Sequence, residues 1–360
     1  MTYRGEIGVQ LASHLANQHS AVELVELARR AHERGIDRVW IDDNLRFRNV
    51  FVILAAVASS VPINLGTAII VPYFRNPIDT ADAIATVSEL TGGREIFIGM
   101  ARGSTGIVPY QINAEAPVSF MKETIGLLRM LLAGEAIAIS DFPLLTRYYG
   151  FRQNARFKMA FPLGSPVKLY HGCSGKRAAR LAGKTMDVIL ISGLYLALLR
   201  TGRVSEVLNA ATEGRRESAH SSSPREFHFG CEINLSISED GDKALQNPKG
   251  FLAHVIPGSY DRLGLIEPLG IDRGKVERMK ERLAKGASFE DLAALISDED
   301  VRKCFIAGTP RECREQLLEV LDETTKLGFD RISFKLGPDY GESIDLLGRE
   351  IIPEMRKRSA

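Results

Sequence analysis

Eight short apolar runs alternate along this chain with segments whose apolar residues recur at helical spacing, and this alternation constrains the fold more than any single motif. A strand that reaches the next strand through a helix has to lie parallel to it, because the crossover returns the chain to the same end of the sheet. The runs that read as strands are 7–11, 36–41, 64–71, 95–100, the run opening at Val167, 186–191, 226–238 and 331–336. Helical patterns cover 21–34, 50–59, 78–90, 120–132, 176–182, 204–212, 310–327 and 343–357. The punctuation agrees: Ser20 stands where an N-cap belongs, Asn76-Pro77 opens a helix, and Gly35 and Thr91-Gly92-Gly93 close two. Eight such units in 360 residues favour a (β/α)8 TIM barrel, expected as one domain over 1–360, above an open doubly wound sheet.

A short echo fits this reading. Gly35-Ile36-Asp37-Arg38-Val39 and Gly328-Phe329-Asp330-Arg331-Ile332 place the same Gly-x-Asp-Arg turn between a helix and a strand. Two segments exceed the simple count. Residues 135–166 alternate short apolar runs with Tyr148, Tyr149 and Phe157, the pattern of a small hairpin insertion, and 246–299 is a helical insertion broken by Pro248, Pro257 and Pro268. In barrels such excursions belong to the loops that cover the active face.

Composition then closes off several classes of function. The net charge of +1 gives no reason to expect nucleic acid or an anionic membrane as partner. Cys173, Cys231, Cys304 and Cys313 lack CxxC or Cys/His ligand spacing, so neither a disulfide framework nor a metal site is expected. The N-terminal residues lack a long apolar signal core and the apolar runs are too short to span a bilayer, which makes the cytoplasm the expected location.

In a barrel, chemistry gathers at the C-terminal ends of the strands. Those ends deliver Gln10; Asp42, Asp43 and Asn44; Ile69 to Val71; Arg102, Gly103 and Ser104; His171 to Gly175; Ser192 and Gly193; and Gly337 to Asp339. No nucleophilic triad emerges, and adjacent Asp42 and Asp43 face opposite sides of their strand and cannot form a dyad. A mouth poor in acids and bases but rich in glycine suits a bound cofactor that performs the reaction. The fifth strand end, His171-Gly172-Cys173-Ser174-Gly175, runs into a helix with Lys176 and Arg177 in its first turn. Cations at a helix N-terminus oppose its dipole, and that mismatch suits a bound anion such as a phosphate as well as it suits two solvated side chains.

These residues resemble the luciferase-like superfamily of flavin- and deazaflavin-dependent oxidoreductases, and within it the branch similar to methylenetetrahydromethanopterin reductase. The likeness rests on Trp40-Ile41-Asp42-Asp43-Asn44, on Leu65 to Ile69 with Asn76-Pro77 and Ala83 to Thr86, on Leu90 to Arg94 leading into Ile98 to Gly103, and on Ser174 to Gly183. Ala307 to Glu312 and Glu350 to Pro353 follow in the same order. The resemblance implies an isoalloxazine-type ring across the mouth, backed by a non-proline cis peptide at Ala68-Ile69. It also implies that Gly103 and Ser104 line the cofactor and that Ser174, Gly175 and Lys176 hold its phosphate; Arg102 and His171 join the cofactor side as strand-end candidates, although a lone histidine in a strand is more often a core residue. Gln10, Asp43 and Asn44 take the catalytic positions. Deazaflavin-dependent relatives often carry acids where Gln10 and Ser104 stand and a histidine at Asn44. Their neutral replacements here lead to the expectation of a reduced-FMN-dependent monooxygenase acting on a small organic substrate and fed by a separate flavin reductase. The alternatives are hydride transfer with the deazaflavin coenzyme F-420, whose acidic tail would meet Arg46, Arg48, Arg75 or Arg102, and a non-catalytic flavin-binding paralogue. Tyr110, Tyr148, Tyr149 and Phe151 are candidates to line a substrate pocket or simply to pack, and the resemblance implies a homodimer or homotetramer.

Overall fold

The computed structural model describes residues 3–11, 19–43, 45, 47–101, 103, 116–218 and 227–357. Eight strands form β1 (Glu6–Leu11), β2 (Arg38–Ile41), β3 (Asn64–Ile70), β4 (Ile96–Met100), β5 (Val167–Cys173), β6 (Val188–Ile191), β7 (His228–Ile237) and β8 (Arg331–Leu336). Each pairs in parallel with the next and β8 pairs back onto β1, closing the TIM barrel that the alternation predicts.

Helices α1 (Ala21–Glu33), α2 (Val50–Ser60), α3 (Pro77–Leu90), α4 (Pro117–Leu132), α5 (Lys176–Thr185), α6 (Val204–Arg216), α7 (Lys249–Val255) and α8 (Pro310–Lys326) account for most of the outer layer. Their starts are chemical. Ser20 and Glu23 satisfy each other's backbone N–H groups ahead of α1, and Thr309 and Glu312 repeat that box at α8. The C-terminal helix begins at Tyr340 rather than at Ser343, because the Asp339 side chain caps it earlier.

The pleat sorts each strand into two faces. Ile7, Val9 and Leu11 join the core against the helices, while Trp40, Phe97, Tyr170, Val188 and Leu190 form a second cluster inside the barrel. Gly99 belongs to that inner face, since a Cβ there would come within 2.0 Å of the Tyr170 ring. The echoed turns close the floor. Arg38 is buried against the Glu6 carboxylate (2.6 Å) and stacks 3.9 Å from the centre of Phe97, with Arg331 at 5.2 Å from the same ring.

In the 135–166 insertion, Ile137–Ala138 pairs antiparallel with Arg156–Phe157 around a helix, Pro143–Tyr149. The 246–299 insertion is helical and contains α7 and the helix Arg273–Ala284. A three-residue strand just beyond it, Ile306–Gly308, pairs with the outer end of β7 and is too short to show in the sequence pattern. All four cysteines are buried and free. Among the described residues no helix is long and apolar enough to cross a membrane.

Candidate active site at the barrel mouth

At the end of β3 the register with β4 shifts between Thr67 and Ile70, and the Ala68–Ile69 peptide inside that shift is cis. A bulge removes ladder hydrogen bonds, and its carbonyls need other donors. Each finds one. Thr67 O accepts from the Tyr170 hydroxyl (2.5 Å), Ala68 O from Gln10 Nε2 (3.1 Å), Ile69 O from the Asp43 N–H (3.3 Å) and Ile70 O from the Ala101 N–H (3.3 Å). The Thr67 hydroxyl also accepts from the Gly99 N–H at 2.8 Å, tying the bulge to β4. Gln10 and Asp43, both read from the sequence as catalytic, thus share one task, fixing the shape of this bulge.

The two aspartates divide as the pleat requires. Asp42 turns inward and accepts a second hydrogen bond from Gln10 Nε2. Asp43 turns the other way into a bidentate ion pair with Arg75, at 2.7 and 3.1 Å. Arg75 is therefore committed to Asp43, which corrects its assignment to a cofactor tail. The loop that carries it is held by the Tyr149 hydroxyl, placed against the carbonyls of Pro72 and Arg75. Tyr148 and Tyr149 pack edge-on to each other, and Phe120 stacks on Tyr73 beside them, while Phe151 meets Phe157. These aromatic residues pack on one another and hold the loop after β3, with Tyr148 still 39% exposed.

On β5 the side chain of His171 lies on the helix-facing side with Leu169 and Cys173, whereas Tyr170 belongs to the interior cluster. Burial pushes its imidazole down to about 4, and Nδ1 lies 2.9 Å from Gly172 O. It is a neutral packing residue, and its assignment to the cofactor side is corrected on that ground. Gly172 takes the mouth position, where a Cβ would meet Ile69 of the bulge at 3.4 Å.

Ser174 Oγ lies 3.4 Å from Ser192 O, and Gly175 is the N-cap of α5 with extended backbone and no side-chain cap. A Cβ at Gly175 would meet nothing within 4 Å, and among the described residues no side chain caps the first turn of α5. The Lys176 side chain makes an exposed ion pair with Glu206 on α6 at 2.9 Å. Arg177 is exposed and makes no ion pair among the described residues. Gly103 has φ +86°. Asn44, Arg46, Arg102, Ser104 and Tyr110 lie outside the described residues.

Two inward residues of β7 add what the strand ends did not show. Glu232 accepts the Gly193 N–H (2.9 Å) and Asn234 donates to Gly193 O (2.8 Å), so both fix the turn after β6. Their signal in the sequence is a polar residue at every second position, Glu232, Asn234 and Ser236, in an otherwise apolar strand.

A family model described as luciferase-like monooxygenase matches residues 6–326. The 5,10-methylenetetrahydromethanopterin reductase of Methanolobus tindarius is 29% identical over 335 residues, which are 92% of this chain and 96% of that one. An F420-dependent glucose-6-phosphate dehydrogenase of Nakamurella multipartita is 27% identical, over 95% of this chain and 94% of its own. Among solved structures, the coenzyme F420 dependent tetrahydromethanopterin reductase of Methanopyrus kandleri superposes with a TM-score of 0.74 at 22% identity, covering 98% of this chain and 99% of that one.

Proposed function

Because the chain belongs to the luciferase-like monooxygenase family, and is an enzyme of its flavin- and deazaflavin-dependent oxidoreductase kind, we propose that it exchanges a hydride between the deazaflavin coenzyme F-420 and a small organic substrate. The observation that carries this reading is the near full-length similarity to methylenetetrahydromethanopterin reductases and to dehydrogenases, the latter named for that coenzyme. It displaces the reduced-FMN monooxygenase reading to second place, where the uncharged Gln10 is the feature in its favour.

The residues present fit such a cofactor. The bulge at Ala68–Ile69 offers a backbone wall, Gly172 leaves room beside it, and the uncapped start of α5 offers N–H donors to a phosphate. When bound, the deazaflavin supplies a ring carbon that takes or gives the hydride. Gln10 and Asp43 keep the wall in place, Ser174 and Gly175 receive the phosphate, and Arg177 supplies a cation near it. Asp42 and Glu232 put carboxylates on the inner face, each engaged by a neutral donor, Gln10 Nε2 and the Gly193 N–H.

Parallel titration of the purified protein with coenzyme F-420 and with FMN tests the assignment. Trp40, the single tryptophan, lies in the inner cluster and reports binding by its fluorescence. The expected result is at least about tenfold tighter binding of the deazaflavin, equivalent to about 1.4 kcal/mol. The reverse order would restore the FMN reading, and with it a dependence on a separate flavin reductase.

A further inference from the structure

The inner face of β8 carries a cation that nothing described above uses. Arg331 lies over Phe97 in the barrel floor, so the period of two puts Ser333 and Lys335 on the same face, with Lys335 nearest the mouth. The register sets Lys335 beside Gln10 on β1 and Asn234 on β7, both of them uncharged. Its Nζ stands 4.6 Å from the Phe251 ring on α7, the helix that the second insertion brings to this side. His254 on the same helix is held below its ordinary pKa by burial and then by the charge of Lys335.

Lys335 is half-buried and has no carboxylate within ion-pair distance among the described residues. The acids of the inner face are engaged elsewhere, Glu232 by the Gly193 N–H and Asp42 by Gln10. A ring face offsets only part of the hydration that a buried ammonium gives up. Among the described residues Lys335 is therefore a cation of the rim with no carboxylate in contact, while Asp42 and Glu232 keep their charges on neutral donors of the same inner face. The lysine's place is separate from the phosphate turn: β8 lies three strands from β5 in the barrel order, roughly 14 Å of arc at the usual strand spacing. One phosphate cannot serve both.

We propose that Lys335 is a substrate-recognition residue that takes an oxyanion, a carboxylate or a phosphate, so that the substrates of this enzyme are organic acids or phosphorylated compounds entering on the β1–β8 side. This rests on the hydride-transfer reading only in calling the bound acid a substrate. Binding itself is measured without cofactor, by Trp40 fluorescence, since Trp40 pairs in register with Gln10 next to Lys335. Wild type, K335M and K335R are titrated with succinate, with inorganic phosphate and with neutral succinamide at constant ionic strength.

A saturable response to succinate or to phosphate, none to succinamide, an apparent Kd raised at least about tenfold in K335M and largely kept in K335R is the expected result. Whichever of the two anions responds identifies the acid group. The proposal is overturned if wild type responds to neither anion, or if K335M binds as well as wild type. It is also overturned if the response survives K335M but is lost in Gly175→Asp, which would place the anion at the phosphate turn. A tenfold loss of deazaflavin affinity in K335M would likewise overturn it, by making the lysine a cofactor contact. Thermal melts of both variants check folding, and the retained response of K335R guards against a collapsed mouth in K335M. If wild type binds neither deazaflavin nor FMN, the hydride-transfer reading fails while the succinate and phosphate arms still stand.

Discussion

The ion pair between Asp43 and Arg75 is the most exposed point of the mouth to mutation, because one side chain is almost wholly buried (2%) and its partner largely so (19%). Removing the cation leaves a carboxylate in a low-dielectric site with no counter-charge, which costs about 3–5 kcal/mol, whereas removing both charges costs far less. Arg75→Met is therefore expected to lower the urea midpoint strongly and to weaken cofactor binding, since Asp43 also supplies the N–H that holds Ile69 O. The double variant with Asp43→Asn is expected to recover most of the stability. Equal destabilisation in both variants would show that the charge itself is not what matters. The sequence exposes Asp43 as a strand-end acid, but Arg75 stands 32 residues away. Only the three-dimensional path of the loop after β3 brings its guanidinium to the carboxylate. His171 shows the opposite difficulty. A strand end reads as a block of neighbours, yet the pleat sends alternate side chains to opposite layers, and one residue of register separates a cofactor contact from a packing residue.

The start of α5 lends itself to a test in which stability and function move in opposite directions. Gly175 occupies the N-cap in extended backbone with open space around it, so aspartate fits there without strain. Aspartate is a preferred N-cap and stabilises a helix over glycine by a few tenths of a kcal/mol. The same carboxylate would occupy the N–H groups assigned to the phosphate and repel it. Gly175→Asp is expected to leave the melting temperature unchanged or slightly raised, while cofactor affinity falls at least about tenfold. Unchanged affinity would return this turn to an ordinary strand-to-helix connection. Elements of this kind are what the sequence displays best. Parallel strands are apolar on both faces and stand out as runs, and capping residues mark the helix starts at Ser20, Asn76 and Thr309. The cis bond at Ala68–Ile69 came instead from family likeness, since no spacing announces it. The Lys176–Glu206 pair is not legible in the sequence because its members stand on different helices, and Lys335 and Glu232 are not legible because polar residues inside a strand declare a mouth only after the barrel has closed.

A closed barrel couples its strands, so a proton taken up at one buried point destabilises all of them. His171 on β5 supplies that point: burial holds its imidazole down at about 4 in the folded chain, against an ordinary value of 6.5. Between these two values the unfolded chain carries a proton that the folded chain refuses, so the unfolded state is favoured as pH falls. The stability in question is fully present above about 6.5 and is lost progressively towards 4, to a total of about 3 kcal/mol. His254 adds to the loss in the same direction, since burial lowers its pKa too. Carboxylates act in a lower window. Side-chain bonds from Lys243 and Ser238 hold Glu342 at about 2, so its contribution is present above 4.5 and disappears only below that. Acid should therefore weaken the protein in two stages, and His171→Leu separates them. Urea midpoints measured from pH 7.5 to 3.5 are expected to fall from about pH 6.5 downward in the wild type. In the variant they should fall distinctly less between 6.5 and 4.5, because the leucine at 171 carries no proton to gain and only the His254 share is left there, and then fall along the same lower limb. An unchanged slope between 6.5 and 4.5 in the variant would move the upper stage to another group, with His254 the first to replace.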